Sequence, residues 1–204
     1  MQRPTLSESH SSGWLFCKPA WFLLAGVLLL SACSQPNAGV ALSGATMGTT
    51  WHVTYLPGPQ TPPPEQVQAS LEGLLVSVND SMSTWQVDSE ISRFNQSVVG
   101  SWVPVSSHFA RVMAEALHIG ERTSGAYDVT VGPLVELWGF GPVQPRRELP
   151  QTSAIEAARD RVGQQFVEFD AELQRLRRLR QVELDLSSIA KGYAVDVLAN
   201  ALSG

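Results

Sequence analysis

The chain has 204 residues, 44% of them hydrophobic, which is enough to bury a core and excludes a disordered chain. Its formal net charge is −5, and no stretch interleaves basic with aromatic residues, so nothing offers a grip on a phosphate backbone and nucleic acid is excluded as a partner.

An apolar run over residues 21–30 follows Arg3 and Lys18 and precedes Ser31-Ala32-Cys33. It is shorter than the ~20 residues a spanning helix needs, so residues 1–32 read as a signal peptide. Leu30-Ser31-Ala32-Cys33 matches a bacterial lipobox, which predicts acylation of Cys33, a lipidated tether over residues 33–40 and a globular part over 41–204. The expected location is the cell membrane, lipid-anchored and facing the periplasm, at the inner membrane. Cys17 then leaves with the signal and Cys33 carries lipid. The mature part has no thiol for a disulfide, a thiolate metal site or a nucleophile.

Beyond the tether, residues 50–56 alternate Trp51, Val53 and Tyr55 with His52 and Thr54, the period of a half-buried strand. Apolar residues at Val67, Leu71, Leu74, Leu75 and Val78 predict a helix over 65–79. Asp88 can cap a short helix over 89–95, and Ser106 or Ser107 a longer one on which Phe109, Val112, Met113, Ala116, Leu117 and Gly120 share a face, ending near Gly125. Asp128 opens a short extended segment, and Trp138-Gly-Phe-Gly141 predicts a close-packed bend. Ser153 and Glu156 have capping-box spacing ahead of a helix that Gly163 would close. Residues 166–169, 173–179 and 182–186 predict strands joined by tight turns, and Ser187 or Ser188 caps a final helix. Helices and strands do not alternate strictly. The expected fold is α+β, a mixed sheet packed with helices, incomplete at its C-terminal end because the chain stops at Gly204 directly after that helix.

The most informative stretch is Glu183-Leu-Asp-Leu-Ser-Ser-Ile-Ala-Lys-Gly-Tyr-Ala-Val-Asp196, a strand passing through two hydroxyls into a helix. Free N–H groups at the helix start favour an anion, and Lys191, a cation opposing the macrodipole in the first turn, is explained by that anion. Ser188 and Lys191 also spell S-x-x-K, the motif of serine acyl-enzymes, but no S-D-N or K-T-G follows. In Gly44-Ala-Thr-Met-Gly-Thr49 the glycines around Met47 let a flat ligand approach. Trp85 and Tyr127 offer ring faces, and Asp128 can accept from ring N–H or ribose hydroxyl groups. His52, His108 and His118 lack metal-ligand spacing and read as surface or strand residues.

Taken in order, T-M-G-T, S-T-W with D-S-E-I-S-R-F-N, G-A-Y-D-V-T-V-G-P-L-V-E-L-W-G-F-G and D-L-S-S-I-A-K-G-Y-A-V-D resemble the ApbE-like FAD:protein FMN transferases from about Leu42 onward. The resemblance implies that Met47, Trp85, Ala126, Tyr127, Asp128, Asp185 and Lys191 contact FAD. Ser188 would stand near Mg2+, where family members more often carry glycine or threonine. By the same likeness a threonine or serine hydroxyl of a target protein attacks the FMN phosphorus of FAD, and AMP leaves. The targets implied are flavin-acceptor subunits of membrane electron-transfer complexes. The family's acidic magnesium ligands and general base fall beyond Gly204. A periplasmic lipoprotein that holds or hydrolyses FAD is the alternative within the family.

Overall fold

A computed structural model describes residues 39–142 and 148–203. The predicted signal peptide, Cys33 and the tether up to residue 38 lie outside the described residues, and Val40 already belongs to a strand. Strand β1 (Val40–Thr46) pairs antiparallel with β2 (Thr49–Tyr55) along its whole length, from Val40 opposite Tyr55 to Thr46 opposite Thr49. The turn between them is Met47-Gly48, with φ of +49° and +70°, both in the left-handed region that lets a two-residue hairpin follow the strand twist. Glycine adopts it freely, whereas a methionine there costs about 1–2 kcal/mol. Gly44 faces Trp51 across the pair, and a Cβ at Gly44 would lie 2.6 Å from Trp51 Nε1.

Helix α1 (Pro64–Met82) starts with proline in its first turn, where a missing N–H is harmless, and buries Val67, Leu71, Leu75, Val78 and Met82. It packs chiefly on the last helix, on the short helix that follows it and on β1. Helix α2 (Glu90–Gln96) is capped by Ser89, whose hydroxyl accepts the Ser92 N–H at 3.2 Å, and not by Asp88 as the sequence suggests. Ser89 is buried while Asp88 stays in solvent, so packing selects the serine. Of the two candidates for helix α3 (Ser107–Arg122), Ser106 is the cap. Its predicted face is inside, with Leu117 half-buried, and the Gly125 N–H returns to Gly120 O at 2.9 Å after the last turn.

Strand β3 (Val103–Pro104), β4 (Val167–Asp170) and β5 (Arg175–Arg178) form a sheet in the order β3-β5-β4, antiparallel throughout. Asp170 ends β4. Its carboxyl is held below the usual range, first by the Leu173 N–H and then by Arg175. The fold is α+β as predicted. Its sheets are antiparallel, and among the described residues the parallel component is one bridge, Val131 to Glu183.

Three local expectations change. Residues 182–186 run extended but form no strand of their own beyond that bridge. Helix α5 (Thr152–Arg159) starts at Thr152 after Gln151, without a side-chain cap, so Ser153 lies inside the helix and cannot serve as its box. After α4 (Gly132–Leu137) the chain bends through Gly139, and Gly141 abuts Glu136. The two aromatics of that bend nevertheless stay out, with Trp138 43% and Phe140 77% exposed.

The core gathers Leu71, Val78, Ile91, Phe94, Phe109, Met113, Leu176, Leu184 and Leu186. It seats the hairpin, α1 and the last helix around one another. Because Trp51 is fixed in this core, Gly44→Ala should destabilise the protein by about 1–3 kcal/mol through overpacking, read as a lowered thermal midpoint.

Candidate functional site

Val182, Leu184 and Leu186 point into the core with at most 1% exposure, so Glu183 and Asp185 must face the other way. On one edge of this segment the Asp185 N–H donates to Val129 O at 2.8 Å and the Gly132 N–H to Glu183 O at 3.3 Å. Among the described residues no strand lies on the other edge. There the Asn95 amide accepts the Leu184 N–H at 2.8 Å and donates to its carbonyl at 2.9 Å. Arg178 adds a bond from Nη1 to Val182 O at 3.0 Å and reaches Ser97 O with Nε at 3.1 Å. Burial lowers the Arg178 pKa, yet a guanidinium remains charged, so its carbonyl partners are what make the site tolerable.

The segment delivers the chain into helix α6 (Ser187–Ser203). Asp185 Oδ1 accepts the Ser187 N–H at 2.8 Å, so the buried carboxylate turns the chain into the helix and neither predicted serine cap does. Lys191 is consequently the fifth helical residue. The macrodipole argument, which fades within the first turn, is weaker than the sequence implies. What remains is position. A cavity of about 560 Å³ opens beside α6, and Met47 of the hairpin tip, Trp85 of the α1–α2 loop, Phe140, Ser187 and Lys191 all border it. That is within the size range of small-molecule sites. Trp85 is 66% exposed, a large ring kept out of the core at the cavity's edge.

Ala126, Tyr127, Asp128, Asp185 and Ser188 do not line this cavity. Ala126 is exposed in the turn after α3, and Tyr127 Oη lies 3.1 Å from Ser188 Oγ. Asp128 Oδ1 accepts the Thr130 N–H at 2.8 Å and its hydroxyl at 2.6 Å, while Oδ2 accepts the Gln164 N–H at 3.0 Å. Its carboxylate thus holds a turn. Ser188 borders a separate groove of about 1210 Å³ on another side of α6, together with His108 and Tyr193. Ser188 Oγ is engaged with Tyr127 Oη, and no hydrogen bond joins Ser188 to Lys191. His108, read as a surface residue, is half-buried with Nδ1 2.7 Å from Tyr193 Oη.

As a magnesium ligand Ser188 offers one hydroxyl, whereas Mg2+ demands an octahedron of oxygens. Among the described residues no group of three or more His, Cys, Asp and Glu side chains could hold a metal ion. These residues do not make a magnesium site by themselves.

A family model described as the ApbE family matches residues 47–204. The chain belongs to the ApbE family. It is 42% identical over 184 residues to a Haemophilus influenzae protein named FAD:protein FMN transferase, covering 88% of this chain and 53% of that protein. A Vibrio cholerae protein of the same name is 41% identical over 179 residues, with 88% and 53% covered. Among solved structures, the flavin transferase ApbE from Vibrio cholerae superposes with a TM-score of 0.79 at 40% identity, over 82% of this chain and 54% of that one. The ApbE protein of Thermotoga maritima gives a TM-score of 0.70 at 27% identity, over 80% and 52%. The chain spans about half the length of the curated relatives it matches.

Sequence reasoning overlooked Ser187, Phe140 and Asn79 at the cavity. Ser187 and Lys191, at i and i+4, share a helix face, a signal that was available once the helix start was known. Asn79 donates to Thr46 Oγ1 at 2.9 Å, tying α1 to the hairpin tip, and nothing local announces it. If Asp128 holds the turn, Asp128→Ala should lower ligand-free stability by about 1–3 kcal/mol, because it strands the Thr130 and Gln164 N–H groups. Chemical denaturation measures this, and a carboxylate that only touched ligand would leave the midpoint unchanged.

Proposed function

We propose that the protein is an FAD:protein FMN transferase, moving FMN from FAD to a threonine or serine hydroxyl of an acceptor protein. The observation that carries this reading is the meeting of Met47, Trp85 and Lys191 at one cavity beside the start of α6. These residues come from three separate parts of the chain. Two present apolar or aromatic surface suited to flavin or adenine rings, and the third presents an ammonium suited to a pyrophosphate. The names of the Haemophilus and Vibrio relatives support the same chemistry.

In the proposed reaction the acceptor oxygen bonds to the FMN phosphorus, the bond from that phosphorus to the bridging oxygen breaks, and AMP departs with that oxygen. The hydroxyl proton is released. Lys191 would hold pyrophosphate charge and Ser187 would offer a hydroxyl to a phosphate oxygen, while Trp85 and Met47 orient the rings. Most of the task in such a transfer is positioning and charge stabilisation, which this residue set can supply in part. Magnesium enters the proposal as a companion of the pyrophosphate, since this cation is commonly held through substrate phosphates and keeps several waters. The acceptor would be a flavin-carrying subunit of a membrane electron-transfer complex, and the enzyme would reach it from a lipid anchor at Cys33 on the periplasmic face.

Two measurements test this reading. Lys191→Met keeps the aliphatic stem and removes the charge, and should weaken FAD binding roughly ten- to a hundredfold with ligand-free stability unchanged. Equal affinity would make Lys191 a surface lysine. Mass spectrometry of the mature N-terminus should find a diacylglyceryl-modified Cys33 as the first residue, and retained upstream residues or a free thiol would remove the anchor from the proposal.

A further inference from the structure

The stretch Asp88-Ser-Glu-Ile-Ser-Arg-Phe-Asn95, the second half of the block that opens with Ser83-Thr-Trp85, contributes no residue to the cavity. Its polar side chains are nevertheless used on the backbone that carries the cavity's walls. At the front of α2, Ser89 Oγ donates to Ser83 O and Ser92 Oγ donates to Gln86 O, each at 2.7 Å. Those carbonyls flank Trp85. At the back of α2, the Asn95 amide closes on both backbone groups of Leu184, the residue before Asp185. Asp185 in turn starts the helix that bears Ser187 and Lys191.

These contacts are sheltered from water. Ser89 is 1% exposed, Ser92 8% and Leu184 0%. A carboxamide carries a donor and an acceptor on one planar group, as a peptide does, so Asn95 pairs with Leu184 as a neighbouring strand would. An apolar residue could fill the space but would leave the Leu184 N–H and carbonyl without partners. A carboxylate could accept the N–H but would oppose the carbonyl.

We propose that α2 is a bracket that sets the spacing between Trp85 and Lys191, with Ser92 and Asn95 as positioning residues for the ligand. The ligand's identity as FAD rests on the function proposed above. The bracket itself rests on the hydrogen bonds from one short helix to the loop that carries Trp85 and to Leu184, three residues before the cavity-lining Ser187. Side chains that never touch the ligand thereby tune its affinity, through the loop on one side and the helix start on the other.

The test uses the purified protein, amide hydrogen exchange, ligand-free unfolding and FAD titration, on wild type, Ser92→Ala, Asn95→Ala, Asn95→Asp, Lys191→Met and the double variant Asn95→Ala/Lys191→Met. Asn95→Ala should speed exchange across residues 184–191, Ser92→Ala across residues 83–87, and each should weaken FAD roughly five- to twentyfold. The double variant should bind no more weakly than Lys191→Met alone, because Asn95 acts by aiming that lysine. A purely structural asparagine would instead give losses that add, which overturns the bracket. So does unchanged exchange in both single variants. Should Asn95→Ala fail to fold, Asn95→Asp, which keeps the volume and one of the two bonds, carries the same comparison. A wild type that ignores FAD while exchange shifts as described would sink the FAD reading and support the bracket.

Discussion

An extended backbone segment has hydrogen-bonding groups on two edges, and the arrangement around the cavity depends on how residues 182–186 satisfy both. One edge is met by the backbone of residues 129–132, the other by two side chains, Asn95 and Arg178. The alternation of Val182, Leu184 and Leu186 into the core pins the register, because a slip by one residue would bury Glu183 and expose Leu184. With the register pinned, Asp185 has one place to be, and α6 has one place to start.

That constraint explains a division of labour. Of the residues that face the cavity, Trp85, Phe140 and Lys191 are exposed, and Met47 is half-buried against the core. Residues that hold backbone, Ser89, Ser92, Asp128 and Asp185, are buried or half-buried and engaged in two or more internal contacts or a helix turn. A ring in solvent loses little freedom until a flat ligand covers it, whereas the backbone beneath must be rigid for affinity to be specific. The positive φ of Met47 fits the same scheme. A strained residue persists at the hairpin tip because the β1–β2 pairing on both sides determines it.

Much of this was legible from local pattern. The helices α1 and α3 announce themselves by apolar residues at three- and four-residue spacing, and β2 by strict alternation. Strand β1 does not, since Ala41, Ser43, Gly44 and Ala45 carry too little bulk to show a period. It is recognisable only opposite Trp51. Asp88 and Ser89 are neighbours of similar capping preference, and burial decided between them, whereas at α6 neither Ser187 nor Ser188 caps because Asp185 turns the chain into the helix.

The four ordered blocks identify the family and hence the α+β fold, because motif residues are chemistry written in the chain itself. The sequence also determines that Met47, Trp85 and Lys191 are of a kind suited to a dinucleotide. Only the tertiary structure decides that these three share a cavity while Tyr127, Asp128 and Ser188 turn elsewhere. Only it reveals that Asn95 closes on Leu184 across 89 positions of chain. The reason is range: spacing along a chain reports neighbours within a turn or a strand, and a hydrogen bond between distant segments exists only once the core has brought them together.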